Sequence, residues 1–474
     1  MQCAGLCGLA LLLTLGVASA AQPAAGAAAS AGVRQTVDAL RRAALSDTNG
    51  HALLEELVTR VGPRPAGTEA EARARQWAVA ALQRQGFTNV RVDPFTTPSW
   101  QASVERLALL DPGSQQLSIV ALGGSPSTPA GGVSGEVLRF ESLAALQSAN
   151  PDRVRGRIVY IDEHMPRTRD GSGYGAAVGK RRNCGIAARQ LGALACLIRS
   201  AGTNDDRFAH QGWAGAVSPG EQAPSAALAP PDANVLSRLL AGGGTARVWL
   251  ELETRFEPAA PSGNVLAEIV GREQPREFVL AAAHLDSWSH GQGALDDGAG
   301  VAIITAAARL INDLPVRPRR SIRLLLAGAE EPVNSDTGGR AYRDAHQQEH
   351  HVAAAESDVG DGRVWRLRGR PGKQPVPLAA LREALAPLGI EAGEFAPAVG
   401  GGSDIGPLVA TGVSLVALNQ DASRYFDFHH TANDTLERVR IEDLRQNIAA
   451  WAVTLYLLAE LDGDAGTAAD PAPR

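Results

Sequence analysis

At 474 residues the chain is too long for one small core, so two domains are expected. A hydrophobic content of 45% with a mean hydropathy of −0.09 is ordinary for a globular protein and excludes a multi-span membrane protein. The net charge of −6, with acids and bases interspersed, leaves no basic face of the kind a nucleic-acid partner needs.

Leu9–Val17 is a short apolar run followed by Ala18-Ser19-Ala20, the small-residue pattern of a signal-peptidase site. Residues 1–20 are therefore expected to be a cleaved leader sending the chain to the periplasm or outside the cell. The run is shorter than the roughly 20 apolar residues of a spanning helix. Cys3 and Cys7 would leave with the leader, and Cys184 and Cys196 remain. Their contact cannot be read from sequence, and the expectation is two independently buried thiols. The Ala/Gly-rich residues 21–33 are expected to be a mobile lead-in, and residues 462–474 a disordered tail.

Residues 34–127 open with helical patterns, HALLEELVTRVG and EAEARARQWAVAALQRQGF, separated by a turn at PRPAG. Trp77, Val79 and Leu82 share a helical spacing, and Gly86 is placed to stop the second helix. The strand pattern NVRVDPF follows. Residues 128–258 have strands of their own (RIVYID, ALACLIR, ARVWLELE), a helix (GIAARQLGA) and turn-rich borders, the pattern of an inserted domain. From residue 259 to 461 strands and helices alternate: FVLAAAH, DGAGVAIITAAARLI, SIRLLLAGAE, GGRAYRDAHQQ, VAAAESD, PLAALREALAPLG, VSLVALN and a closing helix IEDLRQNIAAWAVTLYLLAEL. This alternation predicts an α/β fold, a mainly parallel mixed sheet with helices on both faces. Ligands of such sheets bind beyond the carboxyl ends of the strands.

His284, the Glu330-Glu331 pair and Asp358 each follow an apolar strand run, so they converge on one edge. Imidazoles mixed with carboxylates at such an edge point to a divalent metal pair that activates water. His284 offers a ligand, and Asp286 is placed to accept its other ring N–H. Asp296 begins a glycine-flanked turn into a helix, and its two oxygens can bridge metals ~3.5–4 Å apart. Asp297 can cap that helix. Glu331 is the expected ligand and Glu330 the general base, because alternate side chains of an extended segment point apart. Asp358 would join His284 on one metal, with Glu356 facing the other way. His430 is the expected last ligand, with His429 as the alternative, while His290 has no independent support. Hard oxygen donors beside two imidazoles suit zinc, and cobalt or manganese would fit.

The motifs HLDS, GALDDGAG, GAEEP, ESDVG, GGGSDIGPL and FHHTANDT, in this order, resemble those of the co-catalytic dizinc exopeptidases, the bacterial aminopeptidase and carboxypeptidase Q-like family. GPRPAGTEAE and Trp100 also resemble that family, and GRIVYID, GIAARQLGALACLIRS and SAALAPPDANVL look like a protease-associated domain. The resemblance implies two zinc ions per chain, His284 and Asp358 on one, Glu331 and His430 on the other, Asp296 bridging and Glu330 as base. It implies a cis peptide after Asp296, a pocket lined by Ser403 and Asp404, short-peptide substrates cleaved at a free terminus, and a homodimer. Aminopeptidase or dipeptidase action is the expectation, with carboxypeptidase action on dipeptides as the alternative. A non-catalytic receptor-like role and a glutaminyl cyclase-like reaction are the readings from other classes.

Overall fold

The computed structural model describes residues 30–215, 218–332 and 336–464, so the expected leader at 1–20 lies outside the described residues. Three helices open the chain: α1 (Ala31–Leu45), α2 (Asn49–Arg60) and α3 (Glu69–Arg84). The first begins inside the expected lead-in, because the Ser30 hydroxyl accepts the Val33 N–H and caps it. In α3 the buried stripe is Ala74, Ala78, Ala81 and Leu82, while Trp77 and Val79 sit at its margin. Gly86 ends that helix in the left-handed conformation, at φ +78°.

The strand that follows, β1 (Thr88–Asp111), is far longer than the NVRVDPF pattern. After β2 (Gln115–Leu117) and β3 (Ile119–Ala121) come β4 (Val133–Phe140), α4 (Leu143–Gln147), α5 (Pro151–Val154), β5 (Ile158–Ile161) and α6 (Ser172–Gln190). Next are β6 (Ala195–Arg199), β7 (Ser225–Leu228), α7 (Pro230–Leu239) and β8 (Arg247–Ile269). The remainder alternates: β9 (Gln274–His284), α8 (Ala299–Asn312), β10 (Arg320–Ala327), α9 (Thr337–His346), β11 (His350–Glu356), β12 (Val364–Arg370), α10 (Leu378–Leu385), β13 (Glu391–Phe395), β14 (Ser414–Gln420), α11 (Tyr425–Phe428) and α12 (Ile441–Glu460). Neither β12 nor β13 belongs to the expected alternation.

All strands join one 14-stranded mixed sheet, in the order β13-β12-β14-β11-β9-β10-β8-β4-β5-β6-β7-β3, with β1 against β8. Strands β14, β11, β9 and β10 are parallel to one another, as are β4 to β7. The antiparallel ribbon of β1 and β8 carries the sheet from one group to the other. One end of β8 pairs with β10 at Val265–Ile269, and its other end pairs with β4 at Arg247–Leu250.

Each group is apolar on both faces, as sheets covered on both sides must be. Val279, Ala281 and Ala283 of β9 face a core closed by α1, α8 and α12, whereas Leu280 and Ala282 face Tyr342 of α9. In the second group Ile158 and Tyr160 face one core, and Val159 and Ile161 the other. Cys184 of α6 and Cys196 of β6 are disulfide-bonded within the latter core, which corrects the expectation of two separate thiols. The helix period and the strand period bring them together, and spacing along the chain does not reveal that. Past α12, Asp462 is ion-paired with Arg320, and the Asp464 carboxylate accepts the Leu378 and Ala379 N–H groups. Residues 462–464 are thus fastened to the fold, and 465–474 lie outside the described residues.

Beyond the end of β5, buried Asp162 accepts hydrogen bonds from Tyr160 (2.6 Å), Ser237 (2.7 Å), Arg139 (2.8 Å) and Arg199 (2.8 Å). Burial alone would raise its pKa, but these donors outweigh burial and hold it at about 2. A depressed carboxylate pKa adds stability that is present above the unfolded value, near 4, and lost as the pH falls toward 2. Asp162→Asn should cost about 3–5 kcal/mol in urea unfolding at neutral pH, the range for breaking a buried ion pair. The variant should also show a flatter loss of stability between roughly pH 4 and pH 2. A cost below about 1 kcal/mol would show that the two arginines find other partners.

Candidate metal centre

The parallel strands deliver the expected residues to one edge because β9, β10 and β11 are in register: Ala327 lies beside His284, and Glu356 beside Ala282. His284 is the last residue of β9, Glu330 and Glu331 follow β10, and Asp358 follows β11. The loop between β9 and α8 carries Asp296, and the turn after α11 carries His429 and His430.

Asp296 is central. Its Oδ1 lies 3.2 Å from His284 Nε2, and its Oδ2 lies 3.0 Å from His430 Nε2. Asp358 Oδ1 is 3.2 Å from the same His284 nitrogen, and Glu331 Oε2 is 3.2 Å from the same His430 nitrogen. The two sides therefore have matching donor sets joined by one carboxylate. Three overlapping groups have ligand atoms close enough to share an ion: His284, Asp296 and Asp358; Asp296, His429 and His430; and His284, Glu330 and Glu331. His429 Nε2 is 3.5 Å from Asp296 Oδ2, and its ring is stacked on that of His430. His290, which had no independent support as a ligand, is paired with Glu105 at 3.1 Å.

Ring orientation is set from behind. His284 Nδ1 faces the Asp286 carbonyl at 3.1 Å and its carboxylate at 3.4 Å. His430 Nδ1 faces the Gln211 carbonyl at 3.2 Å. Donation from Nδ1 leaves each Nε2 free to act as a ligand. The Asp286 carboxylate also accepts the backbone N–H groups of Glu330 (3.0 Å) and Glu331 (3.1 Å), so one side chain fixes both the imidazole and the acidic pair. Asp297 accepts the N–H groups of His284 (3.1 Å) and Gly300 (3.0 Å), the latter a helix-cap bond. The Asp296–Asp297 peptide bond is cis.

Three further residues complete the frame: Asp434 and Arg64, which sequence reasoning left without a role, and Glu356, which it read as a supporting residue facing away from the ligands. Asp434 accepts the N–H groups of Leu295 (2.6 Å) and Asp296 (3.2 Å), and burial pushes its pKa up to about 7. Arg64, wholly buried, donates to the carbonyls of Leu285 (2.5 Å), Gln292 (2.7 Å) and Gly293 (2.8 Å) and so ties down the loop before Asp296. Glu356 accepts the N–H groups of Asp404 and Ile405, each at 3.0 Å, and holds the GGGSD loop beside the cluster. Asp434 was visible only as part of FHHTANDT, and Arg64 only as a lone cation between Gly/Pro turns.

The electrostatics fit a cation. Burial pushes the Glu330, Glu331 and Asp358 carboxyls up, with neighbouring acids adding to it. Burial would lower His284 and His430, yet both are held well above the usual imidazole range by the surrounding carboxylates. Glu331 Oε1 and His429 Nδ1 are buried without a hydrogen-bond partner, and Asp296 Oδ2 has only imidazole nitrogens beside it. Buried polar atoms of this kind call for a ligand, and a divalent cation matches the donor set.

Comparison with known proteins identifies relatives. The pattern of Peptidase family M28 matches residues 264–455. The chain is 34% identical to carboxypeptidase Q of Bos taurus over 409 residues, 86% of this chain and 84% of that protein. The crystal structure of a Peptidase M28 precursor from Shewanella amazonensis superposes with a TM-score of 0.86 at 38% identity, covering 93% of this chain and 99% of that one. An aminopeptidase from Aneurinibacillus sp. shares the fold at 20% identity and a TM-score of 0.62, covering 92% and 98%.

Asp434→Asn leaves one of the two backbone N–H groups facing an amide NH2. It should lower divalent-cation affinity by about 10–100-fold, the usual effect of losing a residue that orients a ligand. Competition with a chelator measures this, with far-UV circular dichroism unchanged. Wild-type affinity in the variant would show that Asp434 does not set the position of Asp296.

Proposed function

The chain belongs to peptidase family M28, and from that premise we propose that it is a zinc-dependent exopeptidase acting on short peptides, dipeptides above all. One observation carries the proposal: the two oxygens of Asp296 face two different imidazoles, His284 at 3.2 Å and His430 at 3.0 Å, each with its own second carboxylate. Such symmetry suits Asp296 as a bridge between two ions, with His284 and Asp358 holding one and Glu331 and His430 the other. A pair of zinc ions there would acidify a water and polarise the scissile carbonyl.

The remaining chemistry belongs to the side chains. Glu330 is nearly buried beside Glu331, and its backbone is held by Asp286. Its carboxylate takes the proton of the attacking water and returns it to the departing amine. The acidic cluster also gives the substrate's free ammonium a counter-charge, which supports attack next to an unblocked end. On a dipeptide, aminopeptidase and carboxypeptidase action fall on the same bond. A receptor-like role is disfavoured by the completeness of the donor set, because a binding-only relative has no use for Glu330.

The segment 128–258 is read as an inserted protease-associated unit, which is supported by two cores that it builds together with residues 100–122 and Trp288. Export is supported by the buried disulfide, since such bonds persist in oxidising compartments. Among the described residues, no helix is long and apolar enough to cross a membrane.

The test is a panel of dipeptides and tripeptides, free, N-acetylated, C-amidated or blocked at both ends. Free dipeptides should be cleaved, cleavage should stop with 1,10-phenanthroline, and zinc should restore it. Equal rates on doubly blocked peptides would overturn the exopeptidase reading. Glu330→Gln should retain the metal while turnover falls by about 10²–10⁴-fold, the contribution of a positioned proton carrier. An unchanged rate would remove Glu330 from that role.

A further inference from the structure

The segment that carries the paired histidines, residues 426–430, is held by the second strand group along nearly its whole length. Thr203 donates its N–H to the Phe426 carbonyl (2.9 Å) and its hydroxyl to Asp427 (2.8 Å). Arg167 forks onto the same Asp427 carboxylate at 2.6 and 2.9 Å. His210 Nδ1 lies 2.7 Å from the His429 carbonyl, and His210 Nε2 lies 2.8 Å from the Asn204 side-chain amide. Gln211 donates its N–H to the His430 carbonyl (3.0 Å) and accepts from His430 Nδ1 (3.2 Å).

We propose that the loop 203–211 is a clamp that sets the ring of His430, making Asn204, His210 and Gln211 positioning residues for one half of the dinuclear centre. The inference rests on the reading of His430 as a metal ligand. It follows from a difference between the two imidazoles. The carbonyl that orients His284 belongs to Asp286, two residues away on the same loop, whereas the carbonyl that orients His430 is 219 residues away in the other strand group. A buried neutral imidazole donates one hydrogen bond. His210 therefore gives its Nδ1–H to the His429 carbonyl, and Asn204 serves the acceptor Nε2 once its amide is turned over, which exchanges Oδ1, 2.8 Å from Nε2, for the NH2 group that is otherwise without a partner. This chain of donors fixes His210, and His210 fixes the backbone on which Gln211 and His430 exchange their bonds. Loosening the clamp should loosen the His430 side of Asp296 and leave the His284 side intact.

Cobalt(II) titration of the full-length protein, followed by its visible absorption, separates the two sides. Wild type should take up two equivalents. His210→Ala should bind one of them about 10–100-fold more weakly and the other as before. His210→Gln, whose amide can still reach the His429 carbonyl, should recover part of the loss. Asn204→Ala provides the same test in a milder form should His210→Ala not fold. Asp162→Asn, which weakens the same strand group away from this loop, should leave both equivalents unchanged. Two wild-type affinities in folded His210→Ala, or an equal weakening of both, would overturn the clamp alone. A wild-type protein that binds no cobalt would overturn the metal reading and the clamp with it.

Discussion

Buried carboxylates at one edge of the sheet are the constraint around which this protein is organised. An ionised carboxylate away from water is sustainable only when something offsets its lost hydration. Four of them are offset by the backbone itself. Asp286 holds the N–H groups of Glu330 and Glu331, Asp297 those of His284 and Gly300, Asp434 those of Leu295 and Asp296, and Glu356 those of Asp404 and Ile405. Four others, Asp296, Glu330, Glu331 and Asp358, accept no backbone N–H among the bonds that frame the cluster, and Asp296 and Asp358 face His284. The first group is a frame, and the second is the charge that the frame holds in place.

This division explains why the parallel strands matter. Each strand end supplies one functional side chain together with backbone N–H groups pointing past the sheet. A carboxylate from a neighbouring loop can then bind two N–H groups at once and fix two strand ends relative to each other. Asp286 does this between β9 and β10, and Arg64 does the converse by collecting carbonyls of the loop before Asp296. A side chain that anchors the backbone of two neighbours in turn restricts where their carboxylates can lie, as a preorganised site requires.

Much of this was legible in the residues. Uninterrupted apolar runs ending in His284, Glu330-Glu331 and Asp358 are readable because a strand buried on both faces needs them, and a charged residue at its end needs a reason. The capping place of Asp297 could be read too, since a turn into a helix has room for one cap. The unreadable parts share a physical cause: their partners are distant along the chain. Nothing near Arg64 shows that it will be buried among carbonyls of the β9–α8 loop. Strands β12 and β13, at one end of the sheet, carry arginines and glycines (VWRLRGR, EAGEF) in place of an alternating apolar face. The Cys184–Cys196 bond depends on how α6 lies over β6, which packing decides. The continuous ribbon of β1 and β8 was hidden because the middle of β8 is largely exposed and its EPAAPSG run reads as a turn.

Backbone strain at His430 ties these observations together. This residue has φ +62°, a left-handed conformation that costs a non-glycine residue roughly 1–2 kcal/mol. The turn Phe428–Thr431 is of type II, closed by the Thr431 N–H on the Phe428 carbonyl (3.0 Å), and it places His430 at the position that requires a positive φ. It is reinforced because both polar ends of the residue are engaged by Gln211, the carbonyl through the backbone N–H and Nδ1 through the backbone carbonyl. Two hydrogen bonds at a fully buried position, each contributing about 0.5–1.5 kcal/mol, are enough to offset such a cost. The left-handed turn in turn aims Nε2 at Asp296 and Glu331. Docking of the two strand groups therefore reinforces the geometry that brings His430 to the acids, because Gln211 engages both polar ends of the residue that the turn holds in a strained conformation.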